Sequence, residues 1–311
     1  MADALDRFLA EINRAKLRVK RPSKFVFLCG GVIHEGSRRA ADYLRDFLWR
    51  KKKLGDGPVA FVLAESAQQL YRDSGYSDLI SFEEDIARIA AVVLVISESA
   101  GSLAELGAFC SNPVISPVLR VLISEENFSQ ESFIRWGPVE RVRAASRDRV
   151  GVFPWTTGGD GSTSLEHTAA PHFDEIVNFI NGHVDRAPST MLYPDDEAVS
   201  VFYDILWAIY VAYAVTPIKL FETVSRIYPN LSQSDFKRKL YTLRVADWIR
   251  IVPYGGQDYY FLGNQQDPFQ YSFNEGVKDK EPVRRVLAIR EQCFVAAPPG
   301  ALARVKTARA T

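Results

Sequence analysis

The chain reads as an α/β protein, a doubly wound parallel sheet followed by a small, mainly helical domain. Three observations predict this. Short apolar runs (Lys24–Leu28, Val59–Leu63, Val92–Ile96, Val118–Ile123) alternate with stretches of helical period from Lys24 to about Ile180. The alternation stops at Asp185–Asp196 (DRAPSTMLYPDD), whose two prolines mark a link between domains. Beyond it, three helical stretches run into a glycine-turn hairpin.

The elements follow in order. The opening MADALDRFLAEINRAKLRVK places Leu5, Phe8, Leu9, Ile12 and Leu17 on one helical stripe, a face that packs on the sheet or meets a partner. Lys24–Leu28 is a strand running into Cys29-Gly30-Gly31, then a helix over Ser37–Trp49 that ends in the basic Arg50-Lys51-Lys52-Lys53. Val59–Leu63 is a strand and Ser66–Leu70 a short helix. Ser81–Ala90 is a helix with Ser81 and Glu84 as a capping box. Val92–Ile96 leads into a helix at Leu103–Cys110; Val118–Ile123 is another strand, and Phe173–His183 a helix. Thr156–Ala170, rich in Gly, Ser and Thr, is a surface loop or a lid.

After the linker, Glu197–Tyr213 is an aromatic-rich helix. Thr216 caps a second that has Pro217 at its first position, and Ser232–Trp248 forms a third. Trp248–Tyr254 and Asp258–Leu262 pair across Gly255-Gly256-Gln257. Three helices and a two-stranded wing make a winged helix-turn-helix, with Lys237, Arg238, Lys239 and Arg244 as candidate nucleic-acid contacts on its recognition-like helix. The same shape also serves protein docking. The expected domains are therefore 1–185 (α/β), 197–275 (winged helix) and 276–311, a basic tail with Arg284, Arg285, Arg290, Arg304, Lys306 and Arg309.

Bulk properties bound the function. The 311 residues suffice for two cores, and 47% hydrophobic with 24% charged content is ordinary for a soluble globular chain. Lys+Arg 38 against Asp+Glu 38 gives no net charge, so nucleic-acid contact requires a local basic face. Cys29, Cys110 and Cys293 have no metal-ligand spacing, which predicts no metal and a reducing, cytoplasmic home. No apolar run reaches membrane-span length, and the charged N-terminus does not read as a secretory signal.

The chemistry concentrates in residues 92–109, VVLVISESAGSLAELGAF. Glu105 is expected in the first turn of a helix at the carboxyl end of a strand, where open α/β sheets hold ligands. Gly30 and Gly31 end the neighbouring strand and allow close backbone approach to a sugar or phosphate. Ser99 and Ser102 are placed to bond substrate hydroxyls, and Asp85, in the Glu83-Glu84-Asp85 run, offers a second carboxylate.

Leu103-Ala104-Glu105-Leu106-Gly107-Ala108 and the Gly30-Gly31 turn resemble the nucleoside 2-deoxyribosyltransferase fold. That resemblance implies Glu105 as the nucleophile. Such a domain fused to a winged helix is similar to effectors encoded beside retron reverse transcriptases. It implies as partners a reverse transcriptase with its multicopy single-stranded DNA and a nucleotide substrate, and it is compatible with higher-order assembly; no membrane partner and no cofactor are expected. The family's base-contacting aspartate, six residues before the glutamate, is Ser99 here. Without that acid, a good leaving group such as the nicotinamide of NAD suits the site better than a purine. The expected activity is N-glycosidase toxicity restrained by the partners. The alternative is a nucleotide-sensing, DNA-binding regulator without turnover.

Overall fold

The computed structural model describes residues 3–34, 40–51, 60–63, 75–156 and 165–310. The predicted helix at Ser66–Leu70 lies outside them, as do residues 157–164 of the predicted lid. Two compact units are present, Lys24–Leu70 with Asp78–Pro188, and Met1–Ser23 with Tyr71–Ser77 and Ser189–Thr311. The N-terminal helix α1 (Ala4–Glu11) and strand β1 (Arg18–Lys20) belong to the second of these.

The α/β unit is built on β2 (Phe25–Cys29), β3 (Ala60–Leu63), β4 (Val92–Ile96), β5 (Leu119–Ser124) and β6 (Val150–Phe153), in the order β3-β2-β4-β5-β6. Every pairing is parallel. β2 and β4 are buried along their whole length, which is why FVFLC and VVLVI are continuous apolar runs rather than alternating ones. One face packs Leu28, Leu94 and Leu122 against Leu44 and Phe47 of α2 (Leu44–Lys51) and Ile176 and Ile180 of α5 (Phe173–Arg186). The other face meets α3 (Leu79–Ile89), where Phe82 sits edge-on to Phe27 with ring centroids 6.1 Å apart. The sheet is therefore covered on both sides, and the strand order reverses between β2 and β4.

Three helix starts differ from the sequence expectation. α3 begins at Leu79 because Asp78 accepts the Ser81 amide at 2.8 Å, so Ser81 is the third helical residue and not the cap. α2 begins at Leu44, with residues 40–43 outside the helix. The helix after β4, α4, spans Ala100–Phe109 with Ser99 as its N-cap, three residues earlier than expected.

In the second unit, β1 is the centre of an antiparallel sheet between β7 (Thr190–Leu192) and β10 (Phe269–Gln270). Phe8 of α1 stacks on Trp207 at 5.0 Å, and Trp207 on Phe269 at 5.7 Å, so the N-terminal apolar stripe packs here and not on the parallel sheet. Trp207 belongs to α6 (Glu197–Ala212), which is buried over almost its whole length. Its Asp204 accepts from the hydroxyls of Tyr193 (2.5 Å) and Tyr228 (2.6 Å), and burial pushes its carboxyl up from the usual range. α7 (Pro217–Ser225) starts with Thr216 as cap and Pro217 first, as its sequence predicts, and α8 spans Gln233–Val245 behind the Ser232 cap. β8 (Ile249–Tyr254) and β9 (Gln257–Leu262) pair antiparallel through Gly255-Gly256. Both glycines have positive φ (+60° and +75°), the geometry of a two-residue hairpin turn.

The basic C-terminal segment forms two helices, α9 (Pro282–Cys293) and α10 (Pro299–Ala310). Their arginines serve the fold: Arg285 pairs with Glu11 at 2.5 Å, Arg290 donates to the Val211 carbonyl, and Arg309 lies over the Tyr213 ring. Among the described residues, no helix is long and apolar enough to cross a membrane.

Candidate active site

The reversal of strand order opens the sheet at the carboxyl ends of β2 and β4, the place where doubly wound sheets bind ligands. Two hydrogen bonds join these ends. Gly31 donates its amide to Glu98 Oε1 at 3.0 Å, and Ser99 Oγ donates to the Gly30 carbonyl at 3.4 Å.

Glu98, to which the sequence assigns no role, is the centre of this region. Its carboxylate also accepts the amides of Leu44 (2.6 Å) and Arg45 (3.0 Å), at the N-terminus of α2. The site at which such a helix receives a ligand's anionic group is thus filled by the chain's own carboxylate. Burial pushes Glu98 up to about 7, against the downward pull of its three amide donors and of the Arg45 charge. Arg45 is itself buried, donating to the carbonyls of Leu28 (2.8 Å) and Gly31 (3.1 Å).

This changes the reading of Gly30 and Gly31. A Cβ on Gly30 would stand 2.9 Å from the Arg45 side chain, and one on Gly31 only 2.2 Å from the Tyr43 ring. The glycines admit protein side chains where the sequence suggested a sugar or phosphate. Gly31→Ala is accordingly expected to cost about 1–3 kcal/mol of stability. A melting temperature equal to the parent's would show instead that Tyr43 moves aside without penalty.

Ser99 and Ser102 form a reciprocal cap. Ser99 Oγ accepts the Ser102 amide at 3.1 Å, while Ser102 Oγ accepts the amides of Glu98 (3.1 Å) and Ser99 (3.0 Å) and donates to the Ser99 carbonyl (3.0 Å). Ser102 is fully buried, so its hydroxyl is spent on capping and is not presented to a substrate. Ser99 keeps partial exposure and lines a cleft of about 340 Å³ with Glu98, Leu103, Asn127, Gln130 and Ser132.

The earlier helix start moves Glu105 to the second turn of α4, beyond the free amides of the helix end. Glu105 is half-buried, with Oε2 shielded from solvent. It does not line the Glu98 cleft. Its counterpart is Glu83 on α3, a residue that sequence reasoning missed. Glu83 is buried, and burial with the negative charges of Glu105 and Asp78 pushes it up to about 8. Asp85, the carboxylate singled out from sequence, points to Arg88, whose Nε lies 3.9 Å away. Helical phase separates the two acids: Glu83 and Asp85 are two residues apart, which turns them about 200° from one another. Asn112 Nδ2 donates to Glu84 Oε1 at 2.7 Å, tying α3 to the segment that follows α4.

Parallel strands in the order β3-β2-β4-β5-β6, with a cleft beside the point where that order reverses, define a class: doubly wound α/β proteins, which hold ligands at the carboxyl ends of their strands. The chain belongs to the STM3845 retron effector protein family, which it matches over residues 41–251. It is 26% identical over 277 residues to the Escherichia coli protein named "Retron Ec73 putative ribosyltransferase/DNA-binding protein", covering 83% of this chain and 84% of that one. The E. coli protein named "Retron Ec86 putative ribosyltransferase/DNA-binding protein" is 34% identical over 121 residues, 38% of this chain and 37% of that one.

Of the four basic residues expected on the recognition-like helix, Lys237 and Arg244 are exposed. Arg238 pairs with Asp235, and Lys239 lies 4.7 Å from the Phe202 ring centroid. The four do not form one face.

Proposed function

We propose that this retron effector is an N-glycosidase acting on NAD or a related nucleotide through Glu105. The observation that carries the reading is the place of Glu105 on α4, the helix that follows β4 where the strand order reverses, with the buried Glu83 of α3 pushed up by burial and by the nearby Glu105. In NAD the bond from C1′ to the pyridinium nitrogen breaks, and its electron pair neutralises the departing nicotinamide. C1′ then bonds to the Glu105 carboxylate, or to water with Glu105 stabilising the oxocarbenium character. Hydrolysis releases the water's proton to solvent. Because nicotinamide needs no proton to leave, Ser99 in place of an aspartate is tolerated. The relatives' names, which pair ribosyltransferase with DNA-binding, agree with a glycosyl-transfer unit joined to a nucleic-acid unit.

The second unit is read as containing a winged helix, formed by α6, α7, α8 and the β8–β9 hairpin. It would engage a reverse transcriptase and its multicopy single-stranded DNA, which hold the activity in check. Incubation of the purified chain with NAD and with each deoxynucleoside, followed by chromatography of the released base, tests the reaction. Nicotinamide release supports NAD hydrolysis, and adenine or thymine release from deoxynucleosides redirects the substrate. No release from any of them favours the nucleotide-sensing regulator.

Buried Glu83 also predicts a pH dependence of stability. Glu83 binds its proton more tightly folded than unfolded, so between pH 4.5 and about 8 the folded state holds more protons. Stability is then lost as pH rises through this window. Melting temperatures measured from pH 5 to pH 8 are expected to fall, with Glu98 adding to the fall up to about pH 7, and Glu83→Gln to reduce the slope. An equal slope in the variant would assign the titration to another group.

A further inference from the structure

In a helix-turn-helix, the residues opposite the core face of the third helix are open, because they enter the major groove of DNA. α8 departs from this. Phe236, Leu240 and Leu243 face inward and are buried, with Phe236 packed on Phe221 at 5.2 Å between centroids. Ser234, Arg238, Tyr241 and Thr242 fall about half a turn away. Yet Tyr241 and Thr242 are buried too, Thr242 completely.

Among the described residues, Tyr76 covers them. Its hydroxyl lies 2.7 Å from Thr242 Oγ1 and 3.3 Å from the Arg238 carbonyl. Its ring meets Tyr241 edge-on at 5.9 Å, and the Arg238 guanidinium stands 5.7 Å from its centroid. Gly75 precedes it at φ +81°, where a side chain would be strained, and the position its Cβ would take lies 3.6 Å from the Ser234 carbonyl. Tyr76 is only 7% exposed, deep for a residue two positions before an N-cap. In sequence it lies between β3 and α3, the helix that carries Glu83, yet Tyr71–Ser77 belongs to the same compact unit as α8.

We propose that the outward face of α8 is a docking surface for double-helical DNA, and that residues 75–77 occupy it in the free chain, so DNA and Tyr76 compete for one face. This rests on the winged-helix reading above. Lys237 and Arg244, seven residues apart on one exposed flank of the covered face, are positioned for phosphates when Tyr76 leaves.

The test uses the full chain and labelled mixed-sequence DNA of roughly 30 base pairs, three turns of helix, with the corresponding single strand as control, read by anisotropy. Tyr76→Ala removes both hydroxyl contacts and the ring, and is expected to tighten duplex binding roughly tenfold or more. Tyr76→Phe keeps the ring, is the variant to use should alanine unfold the unit, and is expected to gain less. Lys237→Glu with Arg244→Glu, placed on the Tyr76 variant, is expected to cancel the gain. Folded Tyr76 variants that bind duplex no tighter than the parent overturn the competition; so does a gain confined to the single strand. If charge reversal still weakens such binding, the winged-helix reading survives without the Tyr76 cover. If it has no effect, the winged-helix reading fails as well.

Discussion

Glu105→Gln is expected to reduce base release by at least about three orders of magnitude while nucleotide binding survives, because a carboxamide keeps the shape but supplies neither nucleophile nor charge. In bacteria, the chain expressed alone is expected to slow growth through nucleotide loss, and Glu105→Ala to remove the effect. Single-turnover base release and nucleotide titration of the same preparation separate the two contributions. A Glu105→Ala variant as toxic as the parent at equal expression would sink the catalytic assignment. The α/β unit would then act by binding.

Glu98→Ala is expected to be the most damaging single change to the α/β unit. It strips the acceptor from the amides of Gly31, Leu44 and Arg45, and leaves the buried Arg45 without the charge that faces it. Buried amides left without an acceptor cost about 1–3 kcal/mol each, with partial relief by water, so a total loss of about 3–5 kcal/mol is expected. Chemical denaturation measures it directly. Glu98→Gln retains one acceptor oxygen and is expected to lose less. Equal stability of the alanine variant would mean that α2 reseats its amides on other acceptors.

The connection between these two glutamates shows why the site was only partly legible in the sequence. Both stand in one run, Ser97-Glu98-Ser99 to Glu105, and the strand–turn–helix pattern drew attention to Glu105 alone. Ser99 and Ser102 read as hydroxyls facing a ligand, because a capping box and a binding pair are the same residues in a linear sequence. The box moved the helix start, and with it Glu105, by most of a turn. Glu83 was hidden in an acidic run, since choosing among Glu83, Glu84 and Asp85 requires the rotation of α3 against α4. Only the first was found beside Glu105's charge.

The sequence by itself determined the kind of sheet, the strands β2, β4 and β5 to within a residue or two, the cap Thr216, the start of α8 to within a residue, and the glycine hairpin. These depend on periodicity and on short-range hydrogen bonding, and both are written locally. Tertiary structure decided the rest. It carried α1 and the C-terminal arginines into the second unit and laid Tyr76 across α8. It also filled the N-terminus of α2 with Glu98 and buried Glu83 within electrostatic reach of Glu105. Each of these joins residues far apart in the chain, or chooses between two faces of a helix, and burial energy makes that choice only once the partner surface exists.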